Sequence, residues 1–394
     1  MKGIKLSTAV LVLALAKVGS GGTALAADQI GVTKDQITIA TIQDLSGPLA
    51  GFGKAAKNGM QMRADEINQQ GGIHGRKIKF LAEDSGYNPQ KGLLAAQKLV
   101  EQDKIFASIG SIGTAVVVAT FPTLFDKGVM NLFPLTAARE MYEPVHKLKF
   151  AFAAPYYGQA RVAAKWMVKE RGAKKFCAIY QDDDFGSEVF KGGEDGLKDI
   201  NMKFAEVTTF KRGATDFSTQ VAKMKAADCD TVVMGTLIRE TIGTIGTARK
   251  LGWNPNFIGT VGAYTDLIHK LGGKAMDGFY ALYQVGVPYA DDPSKNVRDW
   301  VGAYKAQFNE DPGLFSAYGY TLMDMFVQTA RKTGPNLTTD AFVKVLESTT
   351  FPRDMFGSPE YKFSATQHLG NTTSRVGQIQ NGRWVAITDY LPVQ

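Results

Sequence analysis

Reactive side chains are scarce in this chain. Its 394 residues include two cysteines and four histidines. The histidines, His74, His146, His269 and His368, are scattered without the close spacing of metal ligands. There is no Gly-x-Ser-x-Gly nucleophile elbow and no phosphate loop ending in Gly-Lys-Ser/Thr. Asp182, Asp183 and Asp184 are consecutive, but no further ligand pattern accompanies them, so they are read as the polar end of a strand. No metal and no cofactor is expected, and an exported enzyme is the weakest of the functional readings. The formal net charge of +7 is spread among acids and forms no basic stripe, which argues against a nucleic-acid partner. After the first apolar run, no stretch approaches the ~18 apolar residues that a membrane span requires. Cys177 falls inside a predicted strand and Cys229 just before one. They read as core thiols, although an oxidising compartment would also let them pair.

What is present begins with a targeting segment. Lys2 and Lys5 precede an apolar run at 6–16, and Ala24-Leu25-Ala26 offers a cleavage point near Ala26/Ala27. Residues 1–27 therefore read as a signal peptide, and the mature chain as exported to the periplasm. No cysteine follows the run to carry a lipid anchor.

The rest is organised around residues 104–141. An apolar strand at 105–109 stops at Gly110-Ser111-Ile112-Gly113-Thr114 and is followed at once by a helix-length apolar segment at 115–125. A second strand, 129–133, ends at Pro134-Leu135-Thr136-Ala137. Buried parallel strands that deliver their C-terminal ends to helix starts place Thr114, Thr136 and unpaired backbone N–H groups together, a setting for an anion. Strands predicted at 36–42 and 77–82, with helices between them, complete a first α/β lobe. The alternation restarts at 150–157 and runs to a strand at 278–285, giving a second lobe. Gly243 and Gly246, inside a helical pattern there, read as close helix packing. Helices then return to lobe one, and short alternating runs with a Gln380-Asn381-Gly382 turn signal finish the chain as antiparallel strands. The expected division is 28–153 plus 286–356 for lobe one and 154–285 plus 357–394 for lobe two. Crossovers near Ala153, Val285 and Phe356 would make the hinge.

Several local strings, taken in order, carry a resemblance. They are Asp44-Leu45-Ser46-Gly47-Pro48, the turn from Asn68 to Arg76, Gly110 to Thr114, Pro134 to Met141, Asp184-Phe185-Gly186 and Asp216-Phe217-Ser218. Together they resemble the periplasmic solute-binding proteins of branched-chain amino acid ABC transporters. The resemblance spans the mature chain. It implies an α/β fold of two doubly wound parallel-sheet lobes joined by a three-segment hinge, the type I periplasmic binding protein fold. It also implies a monomer that hands a small-molecule ligand to a membrane permease. In amino-acid-binding members, as the resemblance implies, a hydroxyl and amides after the third strand take the carboxylate, and Thr114 stands there. The backbone at Leu135 matches a carbonyl contact for the ammonium. Ala137 stands where the family usually supplies Thr, and Val261 where it supplies Glu.

That departure has a physical consequence. A desolvated ammonium without an anionic partner costs several kcal/mol, so the site is expected to reject amino acids. With Phe52, Tyr156, Tyr157, Phe185 and also Tyr264 at candidate cleft positions, the slot suits a flat ring bearing a carboxylate. Arg239 is a candidate for a further charge-assisted bond to it. The expected ligands are hydroxybenzoate or phenylpropanoid acids. The competing readings are a branched-chain amino acid whose ammonium finds Asp266 or Glu240 instead, and the ligand-sensing module of a receptor.

Overall fold

The computed structural model describes residues 29–393, so the expected signal peptide lies outside the described residues. The first lobe is built from β1 (Gln36–Gln43), α1 (Ala50–Gln69), β2 (Lys77–Asp84), α2 (Pro89–Glu101), β3 (Ala107–Ile109), α3 (Thr114–Asp126), β4 (Met130–Leu132) and β5 (Lys149–Phe150). Its sheet runs β2-β1-β3-β4-β5 with every pairing parallel. The strands are almost wholly buried on both faces except at the edge strand β2, as continuous apolar runs in a helix-covered sheet must be.

The second lobe follows as α4 (Tyr156–Arg171), β6 (Phe176–Gln181), α5 (Asp184–Lys198), β7 (Phe204–Phe210), α6 (Ser218–Ala226), β8 (Thr231–Gly235), α7 (Ile238–Lys250), β9 (Asn256–Gly259), α8 (Asp266–Gly272) and β10 (Tyr280–Tyr283). The chain then returns to lobe one as α9 (Lys295–Phe308), α10 (Leu314–Thr333), α11 (Thr339–Leu346), β11 (Thr350–Phe351) and β12 (Tyr361–Lys362). It ends in lobe two as β13 (Thr373–Gln380), β14 (Arg383–Ala386) and β15 (Leu391–Pro392). The second sheet runs β14-β13-β10-β9-β8-β6-β7, with the β10–β13 and β13–β14 pairs antiparallel and the other pairs parallel. In both sheets the strand order reverses beside the first strand, and there the helix N-termini open a crevice.

Docking of α10 on α1 depends on two glycines. A Cβ on Gly59 would come within 2.0 Å of the Ser316 carbonyl oxygen, and one on Gly319 within 2.1 Å of that of Ala56. Gly243 does lie against the Phe217 ring, whereas Gly246 faces open space. No helix among the described residues is long and apolar enough to cross a membrane.

The last crossover falls later than residue 356. Residues 361–370 stay on the β5 edge of lobe one, where Ala151 N–H donates to the His368 carbonyl and Gly370 N–H to that of Ala151. The reason is apolar burial: Phe363 packs on Phe133 and Phe150, and Tyr361 on Phe152. The chain changes lobes beside Asn371, two residues before β13.

The reading of Cys177 and Cys229 as core thiols also gives way, because the two are joined in a disulfide. Cys177 lies in β6 and Cys229 just ahead of β8, and these strands are neighbours with Phe176 opposite Thr231. Their Cα atoms are 5.9 Å apart, within the span a bridge requires. The bridge closes 52 residues of chain, and such a link restricts the unfolded ensemble by roughly 2–4 kcal/mol. The double substitution Cys177→Ser/Cys229→Ser is therefore expected to lower the urea unfolding free energy by about that amount. Reductant is expected to shift the wild-type midpoint in the same direction and leave the variant unmoved.

Candidate functional site

The strand ends of the two sheets meet at a buried cavity with about 530 Å³ of atom-free space, its mouth to solvent included. Lobe one contributes Leu49 and Phe52 after β1, Tyr87 after β2, Ile112 to Thr114 after β3, Leu135 to Ala137 after β4, Phe152 and Ala153 after β5, and Phe315 and Tyr318 of α10. Lobe two contributes Tyr156, Phe185, Leu237, Val261 and Gly262. Every lobe-two position is the start of a helix or the turn after a strand, so the α/β architecture itself aims them inward.

Eight of the expected residues border this cavity: Phe52, Thr114, Leu135, Thr136, Ala137, Tyr156, Phe185 and Val261. Two do not. Tyr157 is one residue further along α4 and turns to the surface, where its hydroxyl donates to Asp195 (2.8 Å) and its ring lies under Arg139. The helical step of about 100° separates it from buried Tyr156. Arg239 is exposed, because its neighbours Ile238 and Glu240 take the inward face of α7. Tyr264 belongs to the core of lobe two, with its ring centroid 4.2 Å from that of Tyr283.

Thr114 is the first helical residue of α3, and Gly113 is the cap position, with φ 93°. A side chain there would be strained and would also collide, since a Cβ on Gly113 falls 2.7 Å from the Tyr87 ring. No side chain caps α3. The Thr114 hydroxyl instead meets that of Thr136 at 2.7 Å, joining the starts of the two crossovers. Tyr156 N–H donates to the Ala137 carbonyl (2.8 Å), which ties α4 to the turn after β4. Burial pushes the Tyr156 phenol up, against the opposing hydrogen bonds from the Ala137 backbone and Thr136. The Tyr87 and Tyr318 phenols are likewise raised, chiefly by burial. All three thus stay neutral donors near neutral pH.

The remaining wall is apolar and largely aromatic. Phe52 and Phe315 stack with centroids 3.9 Å apart and planes 12° from parallel. Tyr156 meets Phe185 edge to face at 5.0 Å, and Tyr318 sits in the same manner against Phe152 at 5.5 Å. Among the described residues no charged side chain borders the cavity.

Neither of the two acids held in reserve for an ammonium borders the cavity. Asp266 accepts from the Leu314 N–H at the start of α10 (3.2 Å) and pairs with Lys270 (2.7 Å). Glu240 stands three residues after the α7 cap position, buried at the start of that helix and off the cavity wall. Burial raises its pKa. Among the described residues no group of three or more His, Cys, Asp or Glu is placed to hold a metal ion.

Sequence reasoning missed Tyr87, Phe152, Leu237, Phe315 and Tyr318. Tyr87 carried a usable signal, an aromatic residue in a Ser85-Gly86-Tyr87 turn directly after a strand. Phe315 and Tyr318 carried none, since α10 reaches the cavity only through its packing on α1.

Comparison with known proteins agrees with this architecture. The family model described as Periplasmic binding protein matches residues 36–383. The Leu/Ile/Val-binding protein of Escherichia coli strain K12 is 25% identical over 296 residues, 75% of this chain and 79% of that protein. The leucine-, isoleucine-, valine-, threonine- and alanine-binding protein of Pseudomonas aeruginosa is 24% identical over 301 residues, 76% of this chain and 79% of that protein. Among solved structures, a fatty acid ABC transporter substrate-binding protein from Thermomonospora curvata superposes with a TM-score of 0.83 at 19% identity, covering 93% of this chain and 95% of that one. A branched-chain amino acid transporter substrate-binding protein from Streptococcus pneumoniae, solved with isoleucine, gives 0.79 at 22% identity, covering 91% of this chain and all of that one. With its two parallel-sheet lobes, the crevice between their strand ends and a family match over almost all of the described residues, the chain belongs to the periplasmic binding protein family.

Proposed function

We propose that this protein is the periplasmic solute-capturing component of an ABC importer, and that its ligand is a small apolar carboxylate with an aromatic ring, of the hydroxybenzoate or phenylpropanoid type. The observation that carries the reading is the charge content of the cavity. Its polar groups are the Thr114 and Thr136 hydroxyls, the uncapped start of α3 and tyrosine hydroxyls, and it has no acid. A carboxylate fits the first set, because N–H groups and the dipole at a helix start favour negative charge. A buried ammonium would go unpaired, at a cost of several kcal/mol. The ring then lies among Phe52, Phe315, Tyr156 and Phe185. The ligand is released to a membrane permease when the lobes part.

The named relatives support the transport role, and the one described as a fatty acid carrier supports an acid without an amine in this fold. They also sustain a second reading, branched-chain amino acid capture, since the sequence relatives are named for it. In that reading the ammonium would be met by backbone carbonyls alone, the Leu135 carbonyl among them.

Thermal shift separates the two. A ligand at 100 times its Kd adds about 2.7 kcal/mol to stability. Stabilisation by 4-hydroxybenzoate or a hydroxycinnamate, with none from leucine or valine, is the expected result. Stabilisation by leucine alone would overturn the aryl-acid reading. Thr114→Val, close in shape but without the hydroxyl, is expected to weaken the aryl acid about 10-fold or more while leaving the unliganded melting temperature within a few degrees. Titration calorimetry reads the affinity, and an unchanged Kd would remove Thr114 from the site.

A further inference from the structure

The cavity is uncharged, yet charge gathers just outside it, at the N-terminal end of α5, the helix that carries Phe185 inward. On one flank is Arg212, in the loop after β7. Its Nη2 donates to Asp183 Oδ2 (2.7 Å), its Nη1 to the Tyr87 carbonyl oxygen (2.9 Å), and its guanidinium lies 4.3 Å from the centre of the Tyr87 ring. Gln181 Nε2 adds a bond to the Tyr87 hydroxyl (3.1 Å). On the other flank is Arg139, past the turn after β4. It donates in a fork to Glu188, Nη2 to Oε1 at 2.7 Å and Nε to Oε2 at 3.0 Å, and lies 4.2 Å from the centre of the Tyr157 ring.

The two arrangements have the same parts: one arginine, one tyrosine face and one carboxylate at the start of α5. Each spans the lobes. Tyr87 and Arg139 belong to lobe one, while Asp183, Glu188, Tyr157 and Arg212 belong to lobe two. Neither pair is freely solvated, with side-chain exposures of 25% and 14% for Arg212 and Asp183, and 33% and 7% for Arg139 and Glu188. Forked, charge-assisted and stacked contacts of this kind hold more strongly than open surface pairs. Between the two flanks, Phe185 and Tyr87 both border the cavity, so the clamped groups are also ones a ligand would touch.

We propose that Arg139 and Arg212 are positioning residues that clamp the first turns of α5 onto lobe one and thereby set how long a ligand is held. The proposal rests on the cavity being the ligand site, not on the ligand's class. A solute enters while the lobes are apart, before either clamp exists, so the clamps act on escape and scarcely on entry.

Stopped-flow kinetics with 4-hydroxybenzoate, and with L-leucine in parallel, tests this on the full-length mature protein. Arg139→Gln and Arg212→Gln are each expected to raise the dissociation rate about 10-fold, the scale of one charge-assisted hydrogen bond, with the association rate changed less than about twofold. Arg→Lys at either position should recover part of the loss, since lysine keeps the charge but not the flat fork. The unliganded melting temperature should not move in Arg139→Gln, whose bonds join the two lobes, and should fall in Arg212→Gln by no more than the loss of its one bond within lobe two, to Asp183. Dissociation rates unchanged in both glutamine variants, or unliganded variants destabilised as much as the rates imply, would overturn the clamp. If leucine binds and 4-hydroxybenzoate does not, the aryl-acid reading fails while the same comparison with leucine still decides the clamp. Binding of neither overturns the cavity reading and the clamp with it.

Discussion

Two parallel sheets face each other with their strand C-terminal ends, and that opposition governs the rest of the molecule. A parallel strand must be followed by a crossover helix, and the turn between them leaves backbone N–H groups without partners. In a single lobe these turns would face water. Here both sets converge, from Thr114 and Tyr156 to Leu237 and Val261, on one volume from which water can be excluded. Inside it the start of α3 and the hydroxyls of Thr114, Thr136 and the tyrosines are the polar groups, and the remaining side chains add or withhold charge.

This protein withholds charge. Ala137 and Val261 present methyl groups, Asp266 is bound at the start of α10, and Glu240 stays off the cavity wall. On the rim of the cavity, by contrast, salt links form where Arg212 and Arg139 flank α5. The partition is physically sensible. An unpaired charge within the cavity would have to be met by every solute or left desolvated, whereas at the rim it regains water whenever the lobes part. The clamps can thus favour the closed form without dictating what is enclosed.

The legible parts of the sequence were those set by local pattern. The β–α alternation announced two lobes, and the strings ending at Thr114 and Ala137 marked the crevice. Phe52 and Phe185, expected in the cleft, do border it, from the first turns of α1 and α5. Errors arose where one helical step or one long-range contact decided the outcome. Tyr157 shares a helix start with Tyr156 yet faces away from it, and joins a rim clamp instead. The bridge between Cys177 and Cys229 depended on β6 and β8 being neighbours, which residue spacing does not state.

By itself the sequence determined the elements, their order and the chemical character of the crevice, because periodicity and turn residues act over a few positions. Tertiary structure alone decided that α10 brings Phe315 and Tyr318 to the cavity, through the close crossing at Gly59 and Gly319. It also held residues 361–370 on lobe one and set arginines from opposite lobes on the two sides of one helix. Those outcomes come from packing between segments up to some hundreds of residues apart, where shape and burial choose the partner and no local pattern records the choice.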